Sequence, residues 1–138
     1  MKRLLSDDEM LQLIPADDDD LFALAERMRP LRDDEVPPWL TSAVKTGEIQ
    51  VSTVVWNERK VAVFWHWYSA GNKTLMVNAA GSLVCDDIIA PLLAAIHKLA
   101  HQLNATAIQF QTKRLGLIEK TMANGFKVDG VVMRKDLI

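Results

Sequence analysis

The chain has 138 residues, 49% of them hydrophobic and 25% charged, with 16 basic residues against 18 acidic ones. That length suits a single domain, residues 1–138, with one sizeable core, and a net charge of −2 supplies no field for drawing in nucleic acid or an anionic membrane. One cysteine, Cys85, closes neither an intrachain disulfide nor a cysteine-based zinc site, so a reducing, cytoplasmic setting is expected.

The N-terminus turns acidic at Asp7, Asp8 and Glu9 before an apolar run of signal-peptide length develops, and no stretch reaches the roughly 20 apolar residues of a bilayer span, so neither secretion nor membrane insertion is expected. Ser6 followed three residues later by Glu9 is a capping-box pattern. With Met10, Leu11, Leu13 and Ile14 on one side and Pro15 as a stop, it predicts a short first helix. The run Asp17–Asp20 reads as the solvated start of a second helix over Leu21–Met28, where carboxylates meet the positive end of the helix dipole. It lacks the spaced ligands and the glycine of a calcium loop. Pro30 ends that helix, and a third spans Pro37 to Thr46, with Gly47 where a left-handed C-terminal cap belongs.

The period then changes. Ile49–Trp56 and Val61–Tyr68 are rich in β-branched and aromatic residues around the polar Asn57-Glu58-Arg59-Lys60, which predicts a hairpin; a third strand, Thr74–Asn78, follows the Ala70-Gly71-Asn72 turn. Both faces of the second strand are apolar, which places it centrally. Val84, Ile88, Ile89, Leu92, Leu93, Ile96, Leu99, Ala100 and Leu103 form the stripe of a long core-facing helix, with Asp86 and Asp87 near its start and Pro91 in or just beyond its first turn. A short strand over Ala105–Gln111, a short helix over Leu115–Ala123, an Asn124-Gly125 exit and a closing strand over Phe126–Arg134 complete the chain.

The predicted class is mixed α/β: N-terminal helices, antiparallel meander, long helix, strand, short helix, strand. This order resembles the GNAT acyltransferases. The local likeness is carried by Leu99–Asn104, Ala107-Ile108-Gln109-Phe110 and the run Leu117–Phe126 with its Gly125-Phe126 ending. The resemblance implies a GNAT-like fold and acetyl-CoA-dependent acyl transfer to an amine. A narrower stretch, Leu24-Ala25-Glu26-Arg27-Met28-Arg29-Pro30-Leu31-Arg32-Asp33-Asp34-Glu35-Val36, is similar to small GNAT-like proteins of bacteriophages, including internal virion proteins of podophages. That likeness implies a phage-encoded chain, in the host cytoplasm or the virion.

In the family a Gln/Arg-x-x-Gly-x-Gly/Ala loop after the fourth strand presents N–H groups to the cofactor's pyrophosphate. The corresponding stretch here, Asn78 to Asp87, holds one glycine and no basic residue. Asp86 and Asp87 bring carboxylates to that place, and like charges about 5 Å apart repel by roughly 1 kcal/mol even in water. The position of the family's proton-donating tyrosine is Thr121. If the chain is active, the resemblance places acetyl-CoA against Val77, Asn78, Ala79, Gly81 and Ser82. Trp65-His66-Trp67-Tyr68 then lines an acceptor pocket with His66 as general base, its ordinary pKa near 6.5 suiting that task, and Tyr68, the only tyrosine, as the substitute donor.

Each of these residues has a plainer reading. His66 also fits a packed sheet position. His97 and His101 share a helix face without a third ligand, so no metal is expected; Lys113 and Arg114 read as a soluble turn rather than a phosphate contact, and Cys85 as a buried or half-buried thiol. The altered loop and Thr121 favour a degenerate GNAT-fold protein acting as a non-catalytic binding or structural module in a virion or on a host protein. Its partner would be another protein or, with four tryptophans available as interface anchors, a second copy of itself. The alternative is an acetyl-CoA-dependent N-acyltransferase acting on an unidentified amine.

Overall fold

The computed structural model describes residues 10–27, 38–47, 49–85, 87–110, 115–131 and 133–138. Its elements in order are β1 (Leu11–Pro15), α1 (Asp18–Arg27), α2 (Pro38–Thr46), β2 (Gln50–Trp56), β3 (Arg59–Ser69), β4 (Thr74–Ser82), α3 (Ile89–Gln102), β5 (Ala107–Phe110) and α4 (Leu115–Met122). The strands lie side by side in chain order. β1 to β4 form an antiparallel meander and β5 runs parallel to β4. A parallel neighbour requires a long crossover, which α3 supplies.

β3 is central and covered on both faces, as its apolar pattern predicts. On one face Ala62 and Phe64 join Leu11, Val54, Leu75, Val77 and the α3 residues Leu92, Leu93, Ala95, Ile96 and Ala100. On the other, Val63 and Val51 pack under Leu21 and Leu24 of α1. Fully burying a Leu, Ile or Phe side chain contributes about 1.5–3 kcal/mol, so these two layers carry the sheet.

The first segment corrects the sequence reading. Leu11–Pro15, expected as helix, is an edge strand in register with β2, from Leu11 opposite Trp56 to Pro15 opposite Ser52. Leu11 and Leu13 fit a two-residue period as well as a helical one. The ladder decides between them, because it puts both on the α3 face, with Leu11 1% exposed, and Lys98 Nζ of α3 donates to the Leu11 carbonyl at 2.9 Å. The Ser6–Glu9 pattern lies outside the described residues, as do Met28 to Pro37.

Two further differences are local. The β2–β3 hairpin closes through only Asn57 and Glu58, both at positive φ (54° and 65°), a two-residue primed turn whose twist suits the strands. The Asp17–Asp20 run is not solvated throughout, since Asp20 is 4% exposed. Its carboxylate accepts from Thr53 Oγ1 at 2.6 Å and from Lys60 Nζ at 3.1 Å. Asp17 caps the same turn, accepting from the Asp20 N–H at 2.9 Å, so α1 is tied at its start to β2 and β3. The Lys60 hydrogen bond holds the Asp17 carboxyl below the usual range, and Asp17 in turn raises Lys60.

Helix ends follow the sequence. Gly47 takes φ 79° after α2 and Gly125 φ 90° after α4. The closing strand expected over Phe126–Arg134 has no ladder partner among the described residues. Phe126 docks edge-on against Phe110, with ring centroids 5.0 Å apart. Beyond it Val128, Val131 and Met133 are 62%, 78% and 87% exposed. A strand-like pattern needs a paired edge to become a strand, and β5 offers only four residues.

Candidate functional site

The sheet splits between β4 and β5. β4 stays paired with β3 through Ser82, but its ladder with β5 covers only Thr74–Val77, opposite Ala107–Phe110. The break coincides with an irregularity. Trp65 faces Ala79 and His66 faces Val77, so Asn78 is an extra residue in β4. Such a bulge bends its strand and shifts the alternation by one. Leu75 and Val77 point to the α3 face; past the bulge Ala80 takes that face and Ala79 turns to the α1 side. From Asn78 to Ser82 the edge of β4 that would meet β5 pairs with no described strand. This parity break is why the sequence suggests a strand ending at Asn78 instead of one running to Ser82.

The five residues expected to hold a cofactor therefore lie together along this segment. Val77 is buried at the last paired rung, Asn78 is the exposed bulge residue, Ala79 is half-buried and Gly81 is buried. Ser82 closes the strand: its hydroxyl accepts from the Val84 N–H at 3.2 Å and donates to the Val84 carbonyl. Apart from Asn78 the side chains of this segment are small, and its backbone is least covered at the exposed bulge residue Asn78.

The start of α3 is less accommodating. Asp87 Oδ1 accepts from the Ile89 N–H at 3.0 Å, and its other oxygen meets Lys120 Nζ of α4 at 3.1 Å. Those two bonds, the backbone one foremost, hold the Asp87 carboxyl below its ordinary range. Pro91 removes a further donor from the first turn. One carboxylate of the chain thus occupies the anion position of this helix, as the sequence suggests; Asp86 lies outside the described residues. Beside it Trp56, Val61, Val84, Ile88 and Pro91, with Asn57, Arg59 and Asp87, line a hollow of about 170 Å³.

His66 and Tyr68 stand on the other side of the bulge. His66 is 2% exposed, opposite Val77, with its ring 4.9 Å from that of Phe64 and Nε2 2.9 Å from Ser52 Oγ. Burial pushes its pKa down to about 4, so the ring is neutral at pH 7. Tyr68 is half-buried opposite Leu75, where β4 is still paired with β5. The two share the α3 face but do not border the open edge.

Thr121 is 4% exposed, and its hydroxyl donates within its own helix, to the Leu117 and Ile118 carbonyls at 2.9 and 3.0 Å. Cys85 is exposed, contrary to the expected buried thiol, because it falls on the bend between β4 and α3. The His97 ring lies 2.7 Å from the Leu93 carbonyl, and no group of three metal-ligating side chains occurs among the described residues. No described helix is long and apolar enough to cross a membrane. Lys113 and Arg114 lie outside the described residues. Sequence reasoning missed Asn78 as a bulge and Asp20 as a buried anchor.

No protein-family model and no curated protein matches the sequence. Solved structures do. A transcriptional regulator from Bacillus halodurans C-125 superposes with a TM-score of 0.66 at 15% identity, over 92% of this chain and 99% of that one. An aminoglycoside acetyltransferase from an uncultured soil metagenomic sample, in complex with trehalose, gives 0.60 at 11% identity over 95% and 99%. The aminoglycoside N-acetyltransferase AAC(6')-Iy in complex with CoA gives 0.55 at 10% identity over 93% and 95%. By these superpositions the chain has the mixed α/β fold of the GNAT acetyltransferases.

Proposed function

We propose that the open edge of β4 binds the amide-bearing arm of an acyl-CoA, and that the chain is an N-acyltransferase acting on an amine. One observation carries this reading: the Asn78 bulge falls where the β4–β5 ladder stops, so the strand is bent and unpaired at the same point. Acyl-CoA, when bound, supplies an acyl group on a thiol leaving group. The backbone of Asn78 to Ser82 offers N–H and C=O groups that can pair with such an arm as a further strand would. His66 and Tyr68 lie behind the bulge, and a base with a pKa of about 4 is poorly matched to neutral pH. Proton removal from the amine therefore falls to water at the open edge.

A second reading, a fold kept as a non-catalytic binding or structural module, is favoured by Asp87 on the Ile89 N–H and by Thr121 bonded within its own helix. The two separate on calorimetric titration with acetyl-CoA and CoA, using the wild type and Asp87→Asn. The asparagine retains a capping oxygen and removes the charge facing the pyrophosphate. At a few ångströms a like charge costs about 1–4 kcal/mol. Acetyl-CoA is expected to bind the wild type weakly and Asp87→Asn at least fivefold more tightly, with thiol release when amines are added. No heat and no thermal shift from either protein at millimolar ligand would remove the acyltransferase reading and leave the module.

A further inference from the structure

The hollow of about 170 Å³ beside the start of α3 has none of the residues from Asn78 to Ser82 in its lining, and that lining is divided by chemistry. Its floor is apolar: Val61 and Pro91 are buried, and Trp56, Val84 and Ile88 are half-buried against the α3-face core. Its rim carries a cation and an anion, the exposed Arg59 and Asp87. An apolar cavity of about 150 Å³ holds a benzene ring, so this floor takes one ring or one branched aliphatic group.

Local structure builds the hollow. Val61 is an extra residue in β3, between the Lys60–Val55 and Ala62–Val54 pairs, so the end of the hairpin is bent. Trp56 and Arg59 form the last rung, and paired residues share a face, which sets the guanidinium beside the indole. The Leu83 N–H donates to the Val61 carbonyl at 2.9 Å, which ties the bend after β4 to the hairpin and brings Val84 to the hollow. Asp87 is held in place by the Ile89 N–H at 3.0 Å and Lys120 Nζ at 3.1 Å. A carboxylate accepts more bonds than these two and a guanidinium offers several donors, so both rim groups can serve a ligand as well as their neighbours in the protein.

We infer that this hollow is a binding site for an apolar α-amino acid, whose side chain fills the floor, whose ammonium meets Asp87 and whose carboxylate meets Arg59. The two rim charges select a zwitterion. An apolar molecule would use neither of them, and a simple amine or acid would set its one charge beside a like charge of the rim. An aromatic side chain adds ring contact with the Trp56 indole, which makes L-phenylalanine the probe.

Titration of the full chain with L-phenylalanine is followed by calorimetry and by the indole N–H resonance of Trp56, identified as the one lost in Trp56→Phe. Saturable binding at millimolar ligand or below is expected, with that resonance shifted. Phenethylamine and hydrocinnamate each lack one of the two charges and are expected to bind at least about tenfold more weakly, as is L-phenylalanine to Arg59→Gln. Arg59 is exposed, so that variant is expected to keep the wild-type far-ultraviolet circular dichroism. Ile88→Trp places a ring in the hollow and is expected to abolish binding. No saturable binding by the wild type, equal binding of either single-charge analogue, or binding indifferent to both substitutions would each overturn the proposal. Acetyl-CoA is left out throughout, so the outcome does not depend on the acyltransferase reading.

Discussion

At the scale of single residues, His66 sets a pH dependence. Its folded pKa of about 4 lies below the ordinary 6.5, so the unfolded chain takes the proton first as pH falls. The His66 contribution is complete above pH 6.5 and declines between 6.5 and about 4, by about 3 kcal/mol in all if the shift is fully expressed. Urea unfolding across that window should show the decline, and His66→Gln should flatten it. A wild-type profile equal to that of the variant would show that His66 is not held neutral. Half of this was legible: alternation with Ala62 and Phe64 marks His66 as a packed position, whereas its partner Ser52 lies 14 residues away on another strand. Asp20 is the harder case, since nothing in a run of four aspartates marks the one that meets Thr53, 33 residues on.

Among the elements, α1 is held by its apolar face and by one buried polar contact. Leu21 and Leu24 are legible from spacing alone; the Thr53 hydroxyl beneath Asp20 is not. Thr53→Val keeps the volume and removes the buried donor, leaving the Asp20 oxygen to Lys60 Nζ at 3.1 Å. The expected loss is about 1–3 kcal/mol, read as a lower thermal midpoint. Substitution of the exposed Asp18 or Asp19 should change little, and an equal loss at those positions would show that helix-start charge, not the buried contact, holds α1. Bulges defeat pattern reading in the same way. Val61 and Asn78 each add one residue, so an alternation that is regular in space is broken in sequence. The bulge that forms the candidate site is also what conceals it.

For the whole molecule, the order of elements was readable because each period is strong locally, and the crossover helix fixes which strand becomes parallel. What failed at the two ends, the β1 edge and the unpaired segment after Phe126, depends on which edge is available, and that is a property of the assembled sheet.

The four-rung parallel ladder that attaches β5, against eight rungs between β3 and β4, has a consequence in time. The meander closes through neighbouring stretches of chain, while β5 must wait for the whole crossover, so it is the last strand to be secured and the first to be released. Opening from that side frees β5 while the meander stays closed. Amides of Ala107 to Phe110 should exchange well before those of β3. The mouth of the proposed acyl-CoA site would then widen by the local loosening of one short strand, with the central layers left at rest.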